Sequence, residues 1–452
     1  MPIPHLALLV VLSTGLVAPA SAVDLLASWR AARLHDAGLM AADAALRVAL
    51  EKIPQGDALL APRLDLTANA GQSAQLYRPG ETVAAHPPSG LNGQGYGADL
   101  VLTKPLYDAA SSAARDRLHR EAEQARQQYV ASVQDLMLRV ARAYFDVLLA
   151  RENLTLATAQ AQAVGEQLAL AREKYALGLA PITDTDDAQA RHDSLLAAEV
   201  TNANDLANKS DAFSVLTGLD AGDVAPLSAS LPVLAPEPAE LARWQDQALH
   251  DNTTLRQLAL GVSIAAGQID QYKWQGAPVV SLSASLGRQY QAGSISTSGG
   301  RDVTSTGAVG LLLTIPLLDG HLRQSQLRQA YAAREQQQYT LEAGQREIER
   351  ATRQYFTALR DGAHRVRALE RARVSGESSI RSSKLGQEVG VRTVIDVLNA
   401  EQNYYQTLSS LTAARADYLY SELQLAAAAG ALDETALAHT NAALDATTGG
   451  AQ

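Results

Sequence analysis

Where proline can and cannot stand constrains this chain more than any other feature. All 16 prolines lie at or before Pro316, and two earlier stretches, Leu106 to Ala180 and Ile182 to Ala225, also lack them. Proline costs about 3 kcal/mol inside a helix, so these gaps are where long helices are permitted. The apolar pattern fills them. Met137, Val140, Tyr144 and Val147 follow alternating steps of four and three, and Ile348, Tyr355, Leu359, Val366 and Leu369 sit on the same kind of lattice. Sustained 3.5-residue spacing with Ala, Gln, Arg and Glu between predicts coiled-coil packing. A helix of about 70 residues would reach about 100 Å. The expectation is an elongated molecule, well beyond the one hundred or two hundred residues of a typical globular domain.

A different period precedes each long helical run. Val280, Leu282, Ala284 and Leu286 alternate with Val279, Ser281, Ser283 and Ser285. Val303, Val309, Leu311 and Leu313 hold alternate places, with Thr304 and Thr306 opposite. Leu64 to Thr67 and Tyr96 to Leu100 do the same more weakly. Segments of about 10 residues, joined by Gly- and Ser-rich connectors at Gly71 to Gly93 and Ala292 to Gly300, suit tilted membrane strands or soluble hairpins alike.

The N-terminus carries an export address. Leu6 to Val17 is an apolar h-region and Ala20-Ser21-Ala22 a cleavage site, so residues 1–22 read as a signal peptide and Val23 begins the mature chain. No later apolar run reaches the 18 or more residues of a spanning helix, so membrane entry would require a β-barrel. Cysteine is absent, which excludes disulfides, thiolate chemistry and an N-terminal lipid anchor. A formal net charge of -10 without a basic cluster argues against nucleic acid as a partner. The nine His are scattered with no metal-ligand spacing, and neither a nucleophile elbow nor a P-loop occurs, so no enzyme, metal or cofactor is expected.

The chain repeats itself once. Thr103-Lys104-Pro105-Leu106-Tyr107-Asp108 matches Thr314-Ile315-Pro316-Leu317-Leu318-Asp319, and Arg142-Ala143-Tyr144-Phe145 matches Arg353-Gln354-Tyr355-Phe356. Gly178 and Asp184 correspond to Gly390 and Asp396. Residues 23–218 and 241–430 therefore form two structural repeats, joined by a linker at 219–240 that carries Pro226, Pro232, Pro236 and Pro238. Residues 431–452 are expected to be a disordered tail. Four strands cannot close a barrel, and open edges are not tolerated in lipid, so membrane strands would have to be pooled among copies.

These residues resemble the TolC family of outer-membrane channels for efflux and type I secretion. The resemblance runs from about Val23 to Leu432. It is most specific at Lys174-Tyr175-Ala176-Leu177-Gly178-Leu179-Ala180-Pro181-Ile182-Thr183-Asp184 and Gly390-Val391-Arg392-Thr393-Val394-Ile395-Asp396-Val397-Leu398-Asn399-Ala400. It implies a mainly α fold with a β-barrel part: a coiled-coil helical tunnel in the periplasm, and four strands per chain in a trimeric twelve-stranded outer-membrane barrel. It also implies a homotrimer partnered by a periplasmic adaptor, an inner-membrane transporter (ABC or proton-driven) and outer-membrane lipid, in a Gram-negative bacterium. The rival class is an exported structural coiled-coil protein without a pore.

The resemblance also assigns residues. Gly178 and Gly390 would form the helix-tip turns, and Asp396 a pore constriction in which Asn399 replaces a second acidic ring. Arg392 would latch the closed tip through Asp184 and Thr183, while Gln387 stands where the family often has a latch tyrosine. Capping is the plainer alternative, because Thr393-x-x-Asp396 and Thr183-x-x-Asp186 both have capping-box form. Tyr144 and Tyr355 read as packing residues.

Overall fold

The structure is a computed structural model that describes residues 23–77, 89–228, 233–293 and 300–444. The expected signal peptide, 1–22, lies outside the described residues. The chain divides into two compact units: Met1–Ala42, Val130–Asn252 and Arg346–Gln452 in one, Asp43–Tyr129 and Thr253–Gln345 in the other. Each half of the sequence contributes to both.

The first half runs α1 (Leu25–His35), α2 (Ala37–Leu50), α3 (Lys52–Ala58), β1 (Arg63–Tyr77), β2 (Ser89–Tyr107), α4 (Ala109–Ala176) and α5 (Ile182–Thr217). The second runs α6 (Leu241–Asp251), α7 (Thr253–Trp274), β3 (Val279–Gly293), β4 (Arg301–Thr314), α8 (Leu322–Glu388), α9 (Val394–Ala428) and α10 (Glu434–Asn441). The proline gaps became the helices α4 and α8, of 68 and 67 residues. The repeated Pro-containing motif is the strand-to-helix junction. Asp108 caps α4 by accepting from the Ser111 amide at 2.9 Å, and Asp319 accepts from the His321 amide at 3.1 Å.

The four strands form one antiparallel sheet in the order β1-β2-β3-β4. The two hairpins meet at β2 and β3, where Leu100 faces Leu286 and Leu102 faces Ala284. Register then fixes the two faces. One row carries Leu66, Leu100 and Leu286, and the next Leu64, Leu102, Ala284 and Val309. The opposite face carries Thr67, Asp99, Gly287 and Thr306, then Asp65, Val101, Ser285 and Ala308. At Gly287 the Asp99 carboxylate and the Thr306 hydroxyl close over the backbone, so a Cβ there would have to displace both side chains. Within the chain the apolar face is uncovered: Leu66 is 72% and Val309 78% exposed. Tyr96 and Tyr290 stack at its far end with ring centroids 4.4 Å apart.

The strands, at 15, 19, 15 and 14 residues, outrun the expected ten. Much of the Gly71–Gly93 connector is strand, paired as Gln72 with Gln94 and Ala74 with Asn92. Backbone hydrogen bonds sustain it where apolar alternation has ended, so side-chain pattern alone could not reveal it.

The first unit has a core around Tyr144, which is fully buried. Its hydroxyl donates to the carbonyl of Ala225 at 2.9 Å and lies 3.3 Å from that of Val23. Burial pushes this hydroxyl's pKa far above the ordinary value. Phe213 lies edge-on at 6.3 Å, and Arg151 donates to the carbonyls of Ala221, Gly222 and Val224. The linker is thus pinned to α4 by hydrogen bonds. The disordered tail expected from 431 is corrected: α10 forms, with Asp433 capping the Ala436 amide at 2.9 Å and Leu437 fully buried. Asn441 further donates to Asp24 at 2.9 Å. Its short apolar face is covered by α1 and α9, contacts that local sequence does not announce. Residues 445–452 lie outside the described residues.

Gly430, in the left-handed region at φ +72, closes α9. A Cβ there would strike the Asp251 carbonyl. Gly430→Ala is expected to lose at least about 2 kcal/mol, left-handed strain plus the clash. The helical signal in a urea titration measures it.

Candidate gate at the helix turns

α4 and α5 are joined by a turn in which Gly178 sits at φ +72, with the Leu179 amide donating to the Lys174 carbonyl at 2.8 Å. The α8–α9 turn repeats this: Gly390 is at φ +79 and the Val391 amide donates to the Gly386 carbonyl at 2.9 Å. Both are left-handed helix ends, where glycine avoids the Cβ penalty. Leu177, Leu179, Val389 and Val391 project from the two turns, all more than half exposed. Beneath them Val164 and Leu168 of α4, Ala188 of α5, and Val394 and Leu398 of α9 form a buried cluster.

At the start of α9 the capping box is complete. The Thr393 hydroxyl accepts from the Asp396 amide at 3.2 Å, and Asp396 Oδ2 accepts from the Thr393 amide at 2.9 Å. Hydrogen bonds from the Thr393 backbone and then its side chain, with a smaller contribution from Arg392, hold the Asp396 carboxyl below its ordinary range. Arg392 reaches Asp396 Oδ1 at 3.8 Å, with both side chains well exposed. The second capping reading fails: α5 is capped at Pro181 with no side-chain bond, which leaves Thr183 exposed in the first turn. Pro at this position fixes an extended approach and displaces the expected cap by two residues. Asp184 is half-buried in the first turn.

Within one chain, then, Arg392 and Asp396 are brought together, while the Arg392 contact runs from the turn to the first turn of the helix that follows it and not to Asp184 or Thr183. Asn399 is held from another side, its Oδ1 accepting from Arg191 of α5 at 2.8 Å. Arg191 also donates to Gln402 at 3.3 Å, and so ties α5 to α9. Gln387 is buried, and its Nε2 has no hydrogen-bond partner among the described residues. Above it Lys384 meets Glu401 at 2.9 Å, although Glu401 is only 2% exposed. Sequence reasoning missed Arg191, Lys384 and Glu401. The one available signal was Arg191 itself, a cation in a helix with seven acidic residues.

A four-stranded sheet with one apolar and one polar face, two unpaired edges and a duplicated set of very long helices defines a class: outer-membrane channels that extend helices from barrel strands. The chain belongs to the outer membrane efflux protein family, which matches residues 29–219 and 244–431. The unmatched interval between them falls on the Pro-rich linker. Outer membrane protein TolC of Vibrio cholerae is 30% identical over 420 residues, spanning 92% of each chain. Alkaline protease secretion protein AprF of Pseudomonas aeruginosa is 30% identical over 384 residues, 84% of this chain and 79% of AprF. The solved outer membrane protein VceC of Vibrio cholerae shares the fold, with a TM-score of 0.75 at 20% identity over 90% of this chain and 96% of its own. The protein is an outer-membrane exit duct of a Gram-negative bacterium.

Two outcomes test the local energetics. Lys384→Met leaves Glu401 buried without its cation and is expected to cost about 2 kcal/mol, below the range for a fully buried pair because Lys384 is 42% exposed. Adding Glu401→Leu should recover most of that loss in the same urea titration. Asp396 has a folded pKa below its model-compound value of 3.8, so the capping box stabilises α9 above that pH. Its contribution is lost as the pH falls through the depressed value. Amide exchange at Val394 to Val397 should therefore accelerate only under strongly acidic conditions, and Thr393→Ala should remove the transition.

Proposed function

We propose that the protein assembles as a homotrimer whose twelve strands close one barrel, and that it serves as the passive exit of a tripartite system. The partners are a periplasmic adaptor and an energised inner-membrane transporter, with a secreted protein or small toxic compounds as cargo. The observation that carries this is the sheet. Its apolar face suits lipid, its polar face suits a water-filled lumen, and β1 and β4 each leave one edge unpaired. Two copies would supply eight strands, enough only for a lumen that side chains fill. Three copies supply twelve and leave a passage. The relatives named for TolC and for alkaline protease secretion support export, and the AprF likeness favours a protein cargo.

The gate of this duct is the pair of glycine turns. Asp396 of three subunits would ring the constriction with three carboxylates, and Asn399 stands where a second ring would double that charge. Cation preference is then present but weakened. Arg392 is the exchangeable part of the latch. Its contact with Asp396 is long and well exposed, a geometry worth little in water, so it can be traded for Asp184 and Thr183 of a neighbouring turn. Gln387 supplies a neutral donor at the position of a latch tyrosine.

Single-channel conductance in a planar bilayer tests both claims. The native protein is expected to pass a small current that grows several-fold in Arg392→Ser, and Asp396→Asn is expected to reduce cation preference. Equal currents in native protein and Arg392→Ser would remove the latch and keep the duct. No conductance from a folded preparation of either would count against the trimeric pore.

A further inference from the structure

The first unit contains a cleft of about 480 Å³ that neither the pore nor the gate uses. α8, α9 and α10 form its floor and sides, and the segment from Leu234 to Glu237 closes it. That wall is held in place. The Tyr418 hydroxyl donates to the Leu234 carbonyl at 3.0 Å and accepts from its amide at 3.1 Å. Arg367 donates to the Val233 carbonyl at 2.8 Å, and Trp244 Nε1 to the Pro238 carbonyl at 2.9 Å. The cleft is therefore preformed, and its volume falls in the range of small-molecule sites.

Its lining is mostly apolar, with two acids, Glu422 and the exposed Glu237 of the wall, and with His439. Leu419 and Leu423 are buried, Trp244 and Tyr418 supply aromatic surface, and Glu422 stands among them. The Glu422 side chain is 31% exposed, and its one partner among the described residues is His439, whose Nδ1 lies 3.2 Å from Oε1. His439 is 75% exposed and sits on the rim. The Glu422 pair with His439 is an exposed contact between α9 and α10, and among the described residues Glu422 caps no helix end. Burial holds the Glu422 pKa above the ordinary value, only partly offset by His439, so the fold gains little from its charge.

We propose that this cleft binds a hydrophobic monocation of the arylalkylamine type, with Glu422 as its counter-ion. The aliphatic and aromatic part of such a ligand fills the leucine-lined volume. Its ammonium displaces the His439 ring from Glu422 and lies beside the Trp244 and Tyr418 rings, whose faces attract a cation. A charge-assisted hydrogen bond at a partly buried carboxylate is stronger than one at the surface, which is the source of selectivity for an amine over a neutral analogue. The site lies within one chain and does not depend on the gate.

Isothermal titration of the full-length protein in amphipol, with 2-phenylethylamine as the probe, tests this. Saturable binding of one amine per chain is expected. The neutral isostere 2-phenylethanol should bind the native protein at least about tenfold more weakly, a comparison that needs no variant to fold. Glu422→Gln should weaken the amine by a similar factor, and His439→Ala should leave it unchanged or tighter. Equal affinity for amine and alcohol would overturn the role of Glu422, as would an unaltered affinity in Glu422→Gln. No saturable heat at millimolar amine would overturn the site itself.

Discussion

An unpaired strand edge cannot face hydrocarbon, and the rest of this architecture depends on that. Each N–H and C=O along the free edges of β1 and β4 needs a partner, and lipid offers none, at a cost of several kcal/mol for each group. The chain cannot meet the demand alone, because four strands do not curl into a closed cylinder. Pooling strands among copies, as in the proposed trimer, is the remaining solution, and it would make the folded membrane form inseparable from assembly. The apolar rows around Leu66, Leu286 and Val309 are uncovered among the described residues, and in the proposed barrel lipid would supply their burial.

The duplicated halves distribute this burden unevenly. The hairpins meet at β2 and β3, one from each half, so the sheet is continuous only because both repeats are present. The linker between the repeats is correspondingly well tethered. Arg151 engages three of its carbonyls, Tyr144 a fourth, and Arg367, Trp244 and Tyr418 hold the segment beyond. A proline-rich stretch that looked like a simple joint is hydrogen-bonded structure along much of its described length. Prolines that deny it a helix leave its carbonyls free to accept from side chains.

Legibility in the sequence tracked how local the cause was. Proline exclusion, the change of apolar period from 3.5 to 2, and the left-handed glycines are all properties of a few neighbouring residues. They located α4, α8, the hairpins and both turns. The Thr393-x-x-Asp396 box was equally readable, being made of four adjacent residues. Strand length was not, because past Gln72 and Gln94 the ladder continues on backbone bonds with no side-chain signature. Nor was α10, whose burial of Leu437 depends on distant partners, α1 and α9. Thr183 misled because its motif was right and Pro181 outranked it. Arg191 and the Lys384–Glu401 pair join residues from different helices, so only the fold could bring them together.

The residues of the proposed gate differ in how firmly they are held, and that difference is what such a gate would require. Asp396 is fixed by two hydrogen bonds from Thr393, and Asn399 by Arg191 at 2.8 Å, so the carboxylate and the amide on α9 cannot wander. The helix that carries them is anchored by Val394 and Leu398 in the buried cluster. Arg392 is the exception, with a single contact at 3.8 Å and a side chain 56% exposed. A latch built from strong buried contacts would hold the closed state of the proposed gate too tightly to open. In the proposed gate, one weak, exchangeable cation between the two turns would keep the closed and open states close enough in free energy for a docking partner's differential affinity to shift them.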